Sequence, residues 1–199
     1  MAAHQVDSSP AHGAVYALVP DRVLINFDAS LGAASSISVA KNGAAIQAGT
    51  TTVGGLHNLS MASSLPPSSG DGVYLVTYAG CRQDGSCEQG QLAFTVDGST
   101  RSSFVDVAGK GNVAVDMRNV KFEPARIVVS AGTAVVWTNR DTVAHFVNTD
   151  PHPSHNNLLD MNSLELKQGD SYAYTFRERG EWRYHCSAHT SMTGSVIVR

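Results

Sequence analysis

Apolar side chains in this chain recur in short runs with a period of two, and nowhere do they form a stripe of 3.6-residue period over ten or more residues. A helix needs such a stripe to bury one face, whereas a strand needs only alternation. The fold class is therefore expected to be all-β. Residues 23–27 form a compact apolar run, residues 36–39 alternate, and Lys41, Asn42 and Gly43 supply the Asn-Gly signal of a two-residue hairpin. Residues 73–78 and 91–96 read as a strand pair around a turn that holds two cysteines. Residues 60–72, rich in Ser, Pro and Gly, are expected to be irregular connection. Further on, residues 113–117, 125–129 and 133–138 are short and β-branched, with Ser130, Ala131 and Gly132 as a turn. Tyr172, Tyr174 and Phe176 alternate with smaller residues, as do Trp182 and Tyr184, and residues 195–198 close the chain as a last strand.

About seven short strands in each half, broken by turn signals, argue for two Greek-key β-sandwiches or barrels. A chain of 199 residues can bury two such cores. The expected division is residues 4–97, a polar linker at 98–112 into which Phe104 and Val107 dock, and residues 113–199. With 14 Lys+Arg against 17 Asp+Glu the formal charge is -3, so no basic stripe tracks phosphates, and nucleic acid and anionic membrane surfaces are not expected partners. No apolar run approaches the roughly 20 residues of a membrane helix, so no membrane span is expected. The first residues lack the basic start and apolar centre of a secretory leader, as they would if a leader had been replaced by a start Met.

Three cysteines are an odd count. Cys81 and Cys87 flank a turn in which they either bridge, which would place the protein outside the reducing cytosol, or stand as two free thiols. Cys186 is left for separate chemistry. It lies in Tyr184-His185-Cys186-Ser187-Ala188-His189-Thr190-Ser191-Met192, read as a loop between two strands with Cys, His and Met at intervals of three. A thiolate is soft and electron-donating, an imidazole is borderline and a thioether is soft and weak, a set that suits copper in both oxidation states. Structural zinc sites favour two or more thiolates, and hard cations favour oxygen. His145, which follows the strand ending in Trp137, Thr138 and Asn139, is the candidate second imidazole.

Residues 113–199 resemble the type 1 blue copper proteins, or cupredoxins. The resemblance rests on Phe122-Glu-Pro, on Gly132 through Asn139, on His145, on Gly180 through Cys186, and on His189, Met192 and the Gly194-Ser-Val-Ile-Val end. The spacing Cys-x2-His-x2-Met is similar to the short ligand loop of amicyanin, whereas plastocyanin and pseudoazurin have a longer interval. The resemblance implies that His145 and His189 are imidazole ligands, Cys186 the thiolate and Met192 the weak axial ligand of one type 1 copper. It also implies that Asn139 hydrogen-bonds the two ligand loops together.

His152 and His155 form a His-x2-His pair read as a solvated turn rather than a weak ion site, because two imidazoles without a third ligand make an incomplete site. His185 is expected to point away from Cys186 and not to be a ligand. No His-x-His pair occurs, which disfavours a multicopper oxidase or a self-contained nitrite reductase. Residues 4–96 resemble the CopC-type copper-resistance fold, whose members bind Cu(II) through an N-terminal His and an Asp-x-His motif. Here the motif reads Asp84-Gly85-Ser86, His4 stands behind three residues, and of a Met-rich Cu(I) site only His57 and Met61 remain. A second copper site in this half is therefore not expected, and the half reads as a docking or spacing module.

These readings converge on an extracytoplasmic, periplasmic-type blue copper protein, not an enzyme, that passes single electrons to a redox partner protein. The alternative is a copper chaperone or buffer that meets a copper-handling protein.

Overall fold

Strand pairing closes each half of the chain on itself. The computed structural model describes residues 2–199, and the chain divides into two units, Met1–Ser99 and Thr100–Arg199. The first contains β1 (Gln5–Ser9), β2 (Val15–Tyr16), β3 (Arg22–Phe27), β4 (Ser36–Lys41), β5 (Ala44–Ala45), β6 (Thr52–Gly54), β7 (Ser60–Ser64), β8 (Gly72–Cys81) and β9 (Cys87–Val96). One sheet runs β1-β3-β7-β6 and the other β2-β9-β8-β4-β5, with Ile25, Phe27, Met61, Tyr74, Val76 and Phe94 buried between them. Asn42 and Gly43 both have positive φ, 49° and 83°, as the tight hairpin joining β4 to β5 requires. Cys81 and Cys87 face each other at the end of the β8–β9 pair and form a disulfide.

The Ser-rich stretch expected to be irregular is instead partly a strand. β7 sits between β3 and β6, buries Met61, and has its hydroxyls satisfied by backbone: Ser60 Oγ donates to Gly54 O at 2.9 Å and Ser63 Oγ to Gly49 O at 2.7 Å. Serine favours turns because its hydroxyl competes for local backbone groups, and here a neighbouring segment supplies the acceptors.

The second unit contains β10 (Val105–Asp106), β11 (Asn112–Met117), β12 (Phe122–Glu123), β13 (Arg126–Val129), β14 (Thr133–Asn139), β15 (Asn148–Thr149), β16 (Ser171–Phe176), β17 (Gly180–Cys186) and β18 (His189–Val198). Its sheets run β12-β11-β14-β16 and β10-β13-β18-β17-β15. Within the stretch read as a linker, Gly98–Ser103 is a 3-10 helix and β10 pairs in parallel with β13. Trp137 is fully buried at the centre, with its ring centroid 5.3 Å from Tyr184, 5.9 Å from Tyr172 and 6.3 Å from Phe176.

The two units share one packing device. Tyr78 stands opposite Gly90 across β8–β9, and Tyr184 opposite Gly194 across β17–β18. In each pair the phenol ring occupies the space that a Cβ on the glycine would need. Gly194→Ala is accordingly expected to destabilise the second unit by about 1–3 kcal/mol through overpacking. Both tryptophans, Trp137 and Trp182, lie in that unit, so urea unfolding followed by tryptophan fluorescence reads it alone; an unchanged midpoint contradicts the prediction.

Burial pushes the Tyr172 phenol up to about 12, and burial likewise raises Tyr74, Tyr78, Tyr174 and Tyr184. A raised native value favours the neutral phenol, so this contribution to stability is full below pH about 10 and is lost as pH rises through about 12 for Tyr172. Tyrosinate absorbance from these five residues is expected to stay low in the native protein at pH ~10, where the phenols of the unfolded chain are half ionised. A native midpoint at that pH contradicts the assignment.

Candidate metal centre

β14 delivers the chain to Asn139, whose fully buried side chain organises the loop that follows. Its amide nitrogen donates to Val143 O at 2.8 Å and to Leu166 O at 2.9 Å, and its oxygen accepts from Asp141 N at 2.8 Å. His145 then pairs with Leu166 through both backbone bonds, 3.0 and 2.9 Å, which fixes its direction. On the other side, β17 and β18 form a hairpin whose register jumps from His185↔Thr193 to Cys186↔His189. The stretch expected to be a loop is thus a tight turn at Ser187 and Ala188, followed by strand from His189 onward. The jump leaves Thr190, Ser191 and Met192 without cross-strand partners, and the Met192 side chain is buried in the same apolar cluster as Cys186.

Cys186 Sγ lies 3.4 Å from His189 Nδ1 and 3.8 Å from His145 Nδ1, and the ligand atoms of the three all fall within 4.8 Å of one another. Such separations suit donors on one ion with bonds of about 2.0–2.3 Å. His145 Nε2 is 2.9 Å from Asp141 Oδ2. Because an ionised carboxylate only accepts, the proton sits on Nε2 and the Nδ1 lone pair faces the thiol. Burial pushes the Asp141 carboxyl up, but hydrogen bonds from Val120 N, His145 and Asn119 N outweigh it and hold it below the ordinary carboxylate range. The carboxylate is therefore charged at neutral pH. Cys186 and His145 are wholly buried, while His189 is half-buried.

The structure brings His145, Cys186 and His189 together across 41 residues of sequence. It places Asn139 differently from its expected role, since none of its three hydrogen bonds reaches the turn after Cys186. The bonds that tie the two segments are Phe146 N–H to Cys186 Sγ at 3.3 Å and Asn148 Nδ2 to Ser187 Oγ at 2.8 Å. The first has a backbone N–H as its donor, which no reading of side-chain types reveals. Asn139 ends its strand before the ligand loop begins and is used up holding its own loop to Leu166.

The donor chemistry agrees with what the chain is similar to. Copper binding proteins of the plastocyanin/azurin family match residues 109–199. Amicyanin-alpha of Methylorubrum extorquens is 30% identical over 94 residues, covering 47% of this chain and 77% of that protein. The chain belongs to the plastocyanin/azurin family of copper-binding proteins. Amicyanin of Paracoccus denitrificans is 32% identical over 91 residues, 44% of this chain and 66% of its own length, so the match spans just under two thirds of that relative. Chloroplastic plastocyanin of Tetradesmus obliquus is 31% identical over 98 residues, 46% of this chain and 68% of that one. Among solved structures, the Cu(I) form of an amicyanin mutant is 30% identical, with a TM-score of 0.41, covering 46% of this chain and 85% of that one. The whole chain is a fusion, because residues 5–97 match the CopC domain.

In the CopC half of this plastocyanin/azurin-family protein, the Asp84 and His4 groups that the resemblance singled out have protein partners. Asp84 Oδ1 accepts from Ser86 N at 2.9 Å and Ser86 Oγ at 2.6 Å, and the hydroxyl bond in particular holds its carboxyl below the usual range. His4 Nδ1 is 2.5 Å from Glu88 Oε2, and its backbone N donates to Asp28 Oδ1 at 2.7 Å. His57 is exposed on a 3-10 turn, whereas Met61 is buried in the core. Among the described residues, no helix is long and apolar enough to cross a membrane.

Proposed function

We propose that this protein carries single electrons on one type 1 copper ion held by His145, Cys186, His189 and Met192. The observation that carries the reading is the convergence of one sulfur and two imidazole nitrogens, with Cys186 and His145 fully buried. Copper supplies one-electron chemistry between Cu(I) and Cu(II) when bound there. The chain's own residues do the rest. Asp141 fixes the His145 tautomer, the Phe146 N–H stabilises charge on the Cys186 sulfur, and the apolar cluster around Met192 excludes water. His189, half-buried among these residues, offers the route to a redox partner protein. The Cys81–Cys87 disulfide fits an oxidising, periplasmic or otherwise extracytoplasmic compartment, and no acid–base pair is needed for such a role.

Copper titration followed by visible and EPR spectra tests this reading. An intense thiolate-to-Cu(II) band that saturates at one equivalent and cycles reversibly supports it, and absence of the band at any copper level overturns it. The CopC match favours a second reading, copper delivery or buffering toward a copper-handling protein. Ready loss of the blue copper to a chelator on reduction would favour that reading over electron carriage.

A further inference from the structure

In sequence the His-x2-His turn lacks a third ligand, and alternation along β17 turns His185 away from Cys186. His185 does face away, and the face it meets is the one onto which that turn folds. β15 pairs with β17, Asn148 against His185 and Thr149 against Tyr184, so the chain leaving Thr149 enters the turn directly beside His185. The turn is held there by His155 N to Pro151 O at 2.7 Å, Asn157 N to Asp150 O at 3.1 Å and Asn162 Nδ2 to His155 O at 2.9 Å.

We propose that His152, His155 and His185 form a second metal site, distinct from the one at Cys186, that binds a borderline divalent cation, Cu(II) foremost. His155 Nε2 lies 3.1 Å from His152 Nδ1 and 3.1 Å from His185 Nε2. Nitrogens bound to one ion at about 2.0–2.1 Å are separated by about this much. His185 Nδ1 is 2.7 Å from Asp150 Oδ1, so Nδ1 carries the proton and the Nε2 lone pair points into the cluster. A carboxylate behind an imidazole in this way orients it and raises its basicity toward a metal. His155 Nε2 also lies 3.2 Å from Ser187 Oγ, and one proton on it cannot serve His152, His185 and Ser187 together; without that proton the nitrogen can accept from the Ser187 hydroxyl but its lone pair still lies against that of His185. A cation accepts all three lone pairs at once.

The site's chemistry also selects its occupant. Three imidazoles with no thiolate suit Cu(II), Zn(II) or Ni(II), and the divalent affinity order places Cu(II) first. His185 is buried, His155 half-buried and His152 exposed, so the cluster opens to solvent on the His152 side and leaves a coordination position for water. It stands one peptide bond from Cys186, on the opposite face of β17.

The test is Cu(II) titration of the full chain and of the His152→Ala/His155→Ala double variant, with bound metal counted and EPR recorded. Neither substituted residue belongs to the Cys186 cluster, and both lie in a surface turn, so far-ultraviolet circular dichroism is expected to be unchanged. The wild-type chain is expected to bind one equivalent more than the variant, with a nitrogen-ligated Cu(II) EPR signal and no intense visible band of its own. Asp150→Asn is expected to weaken that equivalent about 10- to 100-fold. Equal copper counts and identical EPR in wild type and double variant overturn the proposal. The site does not depend on the blue copper reading: the extra equivalent without any blue band would leave it standing and remove the other.

Discussion

Cys186→Ser is expected to erase the intense visible band entirely while the second unit remains folded. The colour of a type 1 centre comes from charge transfer between thiolate and Cu(II), and a serine hydroxyl is a hard, weakly donating oxygen that does not reproduce it. Cys186 is wholly buried and contacts His145, His189 and the Phe146 N–H, so no other thiol can take its place; Cys81 and Cys87 are joined to each other in the other unit. Serine is close in size, and its oxygen can still accept from Phe146 N, so the unfolding transition read by Trp137 and Trp182 is expected to shift little. A variant that stays blue would show that the thiolate is not Cys186. One that loses both colour and fold would fail the prediction on its second count.

Asn139→Ala is expected to cost about 2–4 kcal/mol in the same tryptophan-detected transition. The side chain is fully buried and makes three hydrogen bonds of 2.8–2.9 Å to Val143, Leu166 and Asp141. Truncation removes all three. Leu166 O keeps its bond from His145 N, but Val143 O and Asp141 N lose the partners that the side chain supplied, and a cavity remains. Because Asp141 orients His145, looser copper binding is expected to accompany the lost stability. A change below about 0.5 kcal/mol would place the loop's rigidity elsewhere.

Much of this architecture is legible in the sequence alone. The apolar, β-branched and alternating runs correspond to β3, β4, β8, β9, β11, β13, β14, β16, β17 and the end of β18, and the Asn42-Gly43 hairpin falls where its positive φ values demand. Alternation is a property of consecutive residues, so it survives without tertiary information. β7 is hidden in the sequence because Ser60–Ser64 has loop composition; its strand character comes from backbone pairing with β3 and β6, with carbonyls at Gly49 and Gly54 accepting the Ser63 and Ser60 hydroxyls. β10 and β15 are two residues long, too short for any period to show.

Cys186, His189 and Met192 lie within seven residues, and their donor types alone pointed to copper. What only the tertiary structure decided is which distant groups face them. The pairing of β15 with β17, Asn148 against His185, holds His145, three residues upstream, beside the Cys186 sulfur, and the same pairing carries His152 and His155, downstream, to the opposite face of that strand. Residues on one strand declare their own face by alternation, but a partner strand is chosen by hydrogen bonds between segments far apart in the chain, and no local pattern encodes that choice.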